Sequence, residues 1–592
     1  MDFSSSLAQT PLFASLGDDA LQRLAAIAEL HDLHSGQCLY LEGEPPAYFH
    51  IVLSGRLRVT SHGVLLGYVS RLEPVGEMGV ITGEPRSASV HAVRDSLILR
   101  IPGVALLELL NQNAPALMAV TRLVIARLRQ YQGQRRPAAT ESQGSFAIVP
   151  ASSNVPTTVL AEALVQCLSG WPKARLITAA HVDAALGPGT AQTPLTDSED
   201  DRRLRAWLNR LEGRHRYVIY AADGSGATWS QRCLRQADRV LVLAEAHLPP
   251  ADTAMLRALR EGGLLAPIEL VLLRPEGDPS PHTLAWRERT GARAHYYVHP
   301  WDEQDLAALA RQVTGRGVGL VLGGGGARGF AHIGLLRALE QLEIPVDIAG
   351  GTSMGAFISA LLACGFDSVE IAHITRETFV KRNNLNDYVV PRVSLIRAQK
   401  FLARLVEIFG ERQVEALRRS YYCISTNLTT GAPVVHDRGR LAYWVGTSMA
   451  VPGIVPPIAY EGELLCDGGV VNNLPTDVMQ NLERGSIIAC NVSTEGDIRA
   501  PGAGIGQPDP QALLHWKGAG PSPRLAEILF RTATLTSDTA KQRESAGRAD
   551  IYLRMPIQDI RMFDWHRLDE LVERGYQHAL KELTPLRDRL PR

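Results

Sequence analysis

Ser353 stands at the centre of Gly351-Thr352-Ser353-Met354-Gly355, a G-x-S-x-G pattern. A serine at a sharp strand-to-helix turn can act as a nucleophile, because the turn lifts the hydroxyl clear and the helix N-terminus favours negative charge. Gly351 and Gly355 give such an elbow room. A second stretch, "LLCDGGVVNNLP" (464–475), places Asp467 after an apolar strand end and before two glycines. A serine needs a base to lose its proton, and Asp467 is the candidate. A third, "LVLGGGGARGFAHIGLLRALE" (320–340), reads as strand, four-glycine loop and helix. Backbone N–H groups of such a loop can converge on an oxyanion, and Arg328 adds a fixed positive group at its end.

Each stretch has a rival reading. The glycine loop also satisfies a loose G-x-G-x-x-G, with Asp347 as the acidic residue of a dinucleotide site. The run 348–365, "IAGGTSMGAFISALLACG", carries no charge, so a small-residue helix in a core or a membrane is the alternative to an elbow. Its Gly, Ser, Thr and Ala content argues against a span. His332, four residues past Arg328 on the expected helix, is read as a packing or helix-start residue in preference to a third catalytic group.

The elements that must hold these residues follow from the hydrophobic pattern. "GVGLVLG", "PVDIAG", "YYCISTN" and "SIIACNV" within 316–500 are short apolar strands alternating with helical stretches, an α/β pattern with a parallel sheet. Residues 146–315 repeat the pattern with "SFAIVPA", "ARLITAA", "RYVIYAA", "RVLVLAEA" and "IELVLLR". Residues 10–132 differ: a helical "DDALQRLAAIAEL", then β-rich "QCLYLEG", "YFHIVLSGRLRVT", "VLLGYVS" and "SLILRIP", then helix again. Residues 525–592 read as mostly helical. Polar or Pro/Gly-rich breaks fall at 134–145, 185–201 and 499–524. The expected domains are 1–133, a linker 134–145, 146–315, 316–500 and a helical region 501–592.

In the first domain, "VGEMGVITGEPRSASV" (75–90) sets Glu77 and Arg86 among glycines and strand. A carboxylate can hold a ribose hydroxyl, a guanidinium can pair with a phosphate, and a helix starting near Glu77 adds N–H donors. The plain alternative is a Glu77–Arg86 salt bridge inside an empty barrel.

With 592 residues the chain exceeds one core, so several domains are required. A net charge of −1 excludes a general nucleic-acid binder. Seven scattered cysteines without a C-x-x-C indicate reduced thiols and no zinc or other metal site. The start, "MDFSSSLAQT", lacks a basic region and an apolar region, so no signal peptide and a cytoplasmic location are expected.

The trio GGGGARG, GTSMG and DGG, in this order, resembles the patatin-like phospholipases, as does "TSMAVPGIVPPI" before the Asp. The resemblance implies a Ser–Asp dyad with Ser353 as nucleophile and Asp467 as base. It implies an oxyanion hole from the N–H groups of Gly324, Gly325 and Gly326, with Arg328 supporting the loop. The stretch 75–90 closely resembles the phosphate-binding cassette of cyclic nucleotide-binding domains. That implies Gly76 and Glu77 on the ribose and Arg86 and Ser87 on the cyclic phosphate of cAMP or cGMP, a regulator and not a required cofactor. "YVIYAADGSGATWSQRCLRQADRVLVLAEA" (217–246) resembles a deviant P-loop ATPase, yet Val155-Pro156 stands where the phosphate-gripping Gly-Lys is absent. A degenerate scaffold without NTP hydrolysis is expected.

Together these parts resemble the neuropathy target esterase group. The implied fold is multidomain α/β with an N-terminal β-roll and a three-layer, patatin-like α/β hydrolase-type catalytic domain. The implied function is hydrolysis of phospholipid or lysophospholipid esters through an acyl-enzyme, with peripheral contact at the inner face of a membrane and no nucleic-acid partner. Animal members of that group carry a membrane span and several nucleotide-binding domains; a single such domain and no span are expected here. The segment 499–524 is a candidate cover for the acyl pocket. The alternatives are a non-catalytic cyclic-nucleotide-responsive regulator or lipid-binding protein, and an NAD-dependent enzyme.

Overall fold

A computed structural model describes residues 3–591 except 11, 14–15, 132–143, 153–154, 170–173, 225, 276–279, 300–301, 383 and 494–524. The expected linker up to residue 143, and the 499–524 segment, lie outside the described residues. The chain divides into two compact units, Met1–Ala310 and Arg311–Arg592.

The first unit opens with a β-roll of two four-stranded antiparallel sheets. The stretch "YFHIVLSGRLRVT" is two strands, Tyr48–Ser54 and Leu57–Ser61, because Gly55 turns the chain with φ of 105°. A side chain there would meet Ser96 and would be strained in that conformation. The helix Asp18–Ile27, which follows a short one at Ser4–Ala8, stops earlier than its pattern suggested, and Glu29–Leu33 pairs instead with strand Ser96–Pro102. Two helices, Gly103–Gln112 and Ala114–Tyr131, follow the roll.

The same unit continues into a six-stranded parallel sheet. The five expected strands are joined by Ala294–Val298 at the edge. The first strand, Gly144–Pro150, begins inside the stretch expected as linker. Buried Arg94 of the roll forms ion pairs with Asp238 at 2.7 Å and Glu212 at 2.8 Å.

The second unit is built on an eight-stranded sheet. Strands 348–351, 317–322 and 485–491 lie parallel at its centre, with 420–427 parallel to 348–351. Strand Glu463–Asp467 runs antiparallel to 420–427 and is flanked by Ile458–Tyr460. The C-terminal region is not all helix: Ile551–Arg554 adds a parallel strand beside 485–491. Alternation along the central strands sends Val318, Leu320 and Leu322 to one face and Val321 to the other. Helices 331–341, 354–363, 399–409, 441–448 and 568–583 contribute to the first core. On the other face Val321 packs with Met479 of helix Thr476–Asn481. Helices on both faces of a sheet make three layers.

The uncharged run at 348–365 is thereby explained. It is strand Ile348–Gly351 and helix Met354–Ala363, and every residue of that helix is buried in the core. No helix among the described residues is long and apolar enough to cross a membrane.

Candidate active site

Ser353 sits between the strand and the helix with φ of 55° and ψ of −121°. A non-glycine residue at positive φ is strained by about 1–3 kcal/mol and persists only where its surroundings force it. They do so here. The N–H of Ser353 donates to Ser448 Oγ at 3.0 Å, and the Thr352 hydroxyl donates to the carbonyl of Asn472 at 3.1 Å. The Thr352 N–H donates to Leu322 O at 3.1 Å, which ties the elbow to the central strand. Gly355 is needed at this approach, since a Cβ would lie 2.0 Å from Leu322 O.

The strand Glu463–Asp467 ends at the elbow. Ser353 Oγ donates to Asp467 Oδ2 at 2.7 Å, and Gly469 N–H donates to Asp467 Oδ1 at 2.8 Å. Ser353 is 5% exposed and Asp467 1%. Burial pushes the Asp467 carboxyl up to about 6, against the opposing pull of the bonds from Ser353 and Gly469. A carboxylate of that affinity is ionised at neutral pH and accepts a proton more readily than a solvated one.

The glycine loop lies against this pair. A Cβ on Gly324 would come within 2.9 Å of Ser353 Cβ. Asn473 holds Gly324 from both sides. Its Oδ1 accepts from Gly324 N–H at 3.2 Å, and its amide nitrogen donates to Gly324 O at 3.2 Å and to Ser493 Oγ at 2.8 Å. Gly325 is extended, with φ of 177°, and Gly326 opens a short 3₁₀ helix to Phe330. Arg328 is buried and donates from Nε to Ile560 O at 2.8 Å, while Ala327 N–H donates to Met562 O at 2.8 Å. The loop is thus clamped to the segment before the last long helix.

His332 is fully buried, with Nε2 2.8 Å from Gly323 O and Nδ1 3.2 Å from Cys490 Sγ. Burial lowers it to about 4, so it is neutral. Its ring is bonded to the base of the glycine loop and to the neighbouring strand. Asp347, the acid of the dinucleotide alternative, pairs with Arg311 at 2.7 Å and accepts from Val318 N–H at 2.9 Å. Its carboxylate is therefore occupied by its own fold.

In the β-roll, a cavity of about 220 Å³ is lined by Gly76, Glu77, Arg86 and Ser87 among others. Gly76, with φ of 85°, precedes the short helix Glu77–Thr82. Arg86 Nη1 donates to Gly76 O at 2.7 Å, Nη2 donates to Tyr48 O, and the guanidinium lies 4.2 Å from the centre of the Tyr40 ring. Glu77 pairs with Arg127 of helix Ala114–Tyr131, so the alternative of a Glu77–Arg86 bridge is replaced by a contact with another element.

Sequence reasoning passed over Asn473, Ser448 and Arg127. Asn473 lies inside the quoted "DGGVVNNLP", and Ser448 in "TSMAVPG". Their roles depend on contacts 149 and 95 residues away, which no spacing rule exposes.

Comparison with known proteins adds to this geometry. Residues 320–479 match the model of the patatin-like phospholipases, 144–315 that of the Neuropathy Target Esterase family P-loop like domain, and 30–113 that of the cyclic nucleotide-binding domain. The chain is 31% identical to an uncharacterized NTE family protein of Mycobacterium tuberculosis, over 98% of this chain and 96% of that protein. It is 32% identical to the patatin-like phospholipase domain-containing protein 7 of Mus musculus, over 93% of this chain and 44% of that protein. With protein 6 of Homo sapiens the figures are 30%, 92% and 44%. The chain spans less than half the length of these animal relatives.

Proposed function

Because the chain belongs to the neuropathy target esterase family, we propose that it is a serine lipid hydrolase acting on carboxylic esters of phospholipids or lysophospholipids through Ser353 and Asp467. The observation that carries this reading is the 2.7 Å bond from Ser353 Oγ to a buried carboxylate. It occurs at a strained elbow beside a glycine loop.

In this mechanism Ser353 Oγ attacks the ester carbonyl carbon as its proton passes to Asp467 Oδ2. The carbonyl oxygen becomes an oxyanion. The N–H of Gly324 is already bonded to Asn473. Gly325 and Gly326 are therefore the loop's donors to that oxygen, with Arg328 holding the loop through Ile560. Collapse breaks the bond to the alcohol, which leaves with the proton from Asp467. A water then gives a proton to Asp467 and attacks the acyl-enzyme. Its collapse returns the proton to Ser353 and frees the fatty acid.

A cyclic nucleotide is a regulator in this reading. Gly76 and Glu77 meet its ribose, and Arg86 and Ser87 its phosphate. The α/β domain at 144–315 serves as a scaffold that does not hydrolyse NTP. Phospholipid substrate brings with it peripheral contact with a membrane.

The test is hydrolysis of lysophospholipid and p-nitrophenyl acyl esters by the chain and by Ser353→Ala. Activity in the parent and at least about a 10³-fold loss in the variant is expected, since removal of a nucleophile leaves only residual catalysis. An inactive parent, or an active variant, overturns the reading.

A further inference from the structure

We infer that the hairpin spanning residues 387–397 is the element by which the catalytic unit docks on a lipid bilayer containing anionic phospholipids. The inference rests on the proposed lipid substrate for its partner, but on the hairpin's own geometry for its place.

The hairpin is closed by backbone bonds from Arg397 N–H to Asp387 O and from Val389 N–H to Leu395 O, both 3.0 Å, with a bridge between Tyr388 and Ile396. Its returning arm is packed inward: Ile396 and Ser394 are buried, and Ile396 joins Ala450 and Val455 in a small core. The tip is the reverse. Tyr388 is 75% exposed, Val390 84% and Val393 68%. Among the described residues these are three of the five most exposed large hydrophobic side chains, and they fall within six consecutive positions. Scattered exposed apolar residues are ordinary, but a concentration on one projecting turn marks a surface that meets something apolar.

The charges beside the tip say what that is. Arg392 and Arg397 are exposed and enter no ion pair among the described residues. Lys400 follows, bonded to the neutral Asn386. The one acid, Asp387, is turned to the N–H groups of Gln399 and Lys400. Aliphatic side chains and a tyrosine on the hairpin, with Arg392 in its turn and Arg397 and Lys400 at its base, match acyl chains below and phosphate headgroups above. A protein partner would need shape complementarity over a broader face than one turn offers.

The hairpin is also rooted beside the catalytic pair. Leu395 and Ile396 N–H groups donate to Gly453 O and Ile454 O, both at 3.0 Å. The same strap begins at Ala450, whose carbonyl accepts from Asp467 N–H at 2.8 Å. A bilayer held at the tip therefore presents lipid next to the segment that carries the base.

The experiment uses full-length chain carrying Ser353→Ala, so that binding is read without turnover, sedimented with vesicles of phosphatidylcholine and phosphatidylglycerol (3:1) and of phosphatidylcholine alone. Val390→Asp with Val393→Asp is expected to lower partitioning onto the mixed vesicles at least tenfold. Arg392→Glu is expected to lower it severalfold on mixed vesicles and little on phosphatidylcholine alone. Val104→Asp, at a 70% exposed valine of the other unit, is the control for non-specific loss of apolar surface and is expected to bind as the parent does. Thermal transitions of all variants confirm folding. A parent that does not bind mixed vesicles, hairpin variants that bind like the parent, or an equal loss in Val104→Asp would each overturn the inference. Ester hydrolysis by chain with intact Ser353 is measured separately. Loss of the docking result with hydrolysis intact refutes the hairpin alone, and absence of hydrolysis with vesicle binding intact refutes the hydrolase reading alone.

Discussion

Replacing Asp467 by asparagine keeps the side chain's shape while removing the charge and one of its two acceptor oxygens: the amide oxygen keeps the bond from Gly469 N–H, and the amide nitrogen faces Ser353 Oγ, which then accepts. The magnitude follows from burial. The carboxyl is moved from an ordinary value of 3.8 to about 6. That is roughly two units, or about 3 kcal/mol as an upper bound on the free energy spent keeping the ionised group in place at neutral pH. The sign is set by the direction of the shift. A carboxyl raised in the folded state contributes its stability below the unfolded pKa, near 4, and loses it as pH rises through about 6. Asp467→Asn should therefore raise the melting temperature at pH 8 by several degrees, given about 2–4 °C per kcal/mol for a unit of this size. Near pH 4 the gain should shrink toward zero. Hydrolysis should fall by roughly 10²–10⁴-fold, because general-base help is lost. In the parent, kcat/KM should fall tenfold per pH unit below about 6, as the base is protonated. Calorimetry across pH 4–8 beside p-nitrophenyl ester hydrolysis reads both. A variant destabilised at pH 8, or one that keeps its activity, would refute the argument that Asp467 is a strained, ionised base.

Two further variants probe the groups around this pair. Asn473→Ala removes the side-chain bonds to Gly324 N–H and Gly324 O and leaves only the 3.4 Å bond from Gly324 N–H to the carbonyl of residue 473, and kcat on a soluble ester should drop about 10–100-fold through misplacement of the loop. KM should change little; a rise in KM with kcat unchanged would point to substrate binding instead. Arg86→Leu removes the guanidinium from the β-roll cavity, and titration calorimetry should show cAMP or cGMP affinity falling about 10–100-fold, the value of a charge-assisted bond. If the parent binds neither nucleotide at millimolar concentration, the regulator reading fails.

The stretches around Ser353 and Asp467 stood out because each is a local pattern. A G-x-S-x-G between strand and helix specifies an elbow, and an aspartate before two glycines specifies a turn. That the two meet across 114 residues required the antiparallel strand Glu463–Asp467 to lie beside 420–427. The sequence contains no local sign of that pairing; only the resemblance implied it. Patatin-type and β-roll architecture were readable for the same reason, whereas short pieces whose state is decided by a partner were not. Glu29 and Leu30 carry a helical pattern but become strand through Ser96–Pro102. Ile551–Arg554 is four residues after a long helix, and only the exposed edge of strand 485–491 makes it a strand. Glu77, read as a ribose-holding residue, lines the cavity, and its partner Arg127 lies 50 residues away on another element.

Strain and burial at the elbow have one structural consequence. Ser353 at φ of 55° and an ionised Asp467 in the core are each unfavourable, and the one local bond, from Gly469 N–H to Asp467, offsets only part of the burial. The compensation is distributed. Ser448, Asn472 and Leu322 fix the elbow backbone at Thr352 and Ser353, Gly469 and Ala450 fix Asp467, and Asn473 fixes the glycine loop. These contacts come from three separate stretches of chain, 322, 448–450 and 469–473, and the helix after Ser353 is buried along its whole length. Ser353 and Asp467, the proposed reacting groups, are therefore held by the packed core. Preorganisation of this kind is what an oxyanion site needs, since donors that do not reorient during reaction stabilise charge best. It also assigns adaptability to another part of the unit. On the proposed reading, lipids of varied chain length would be admitted by elements outside this frame, and the hairpin at 387–397, joined to the frame by two backbone bonds from Leu395 and Ile396, is an element so placed.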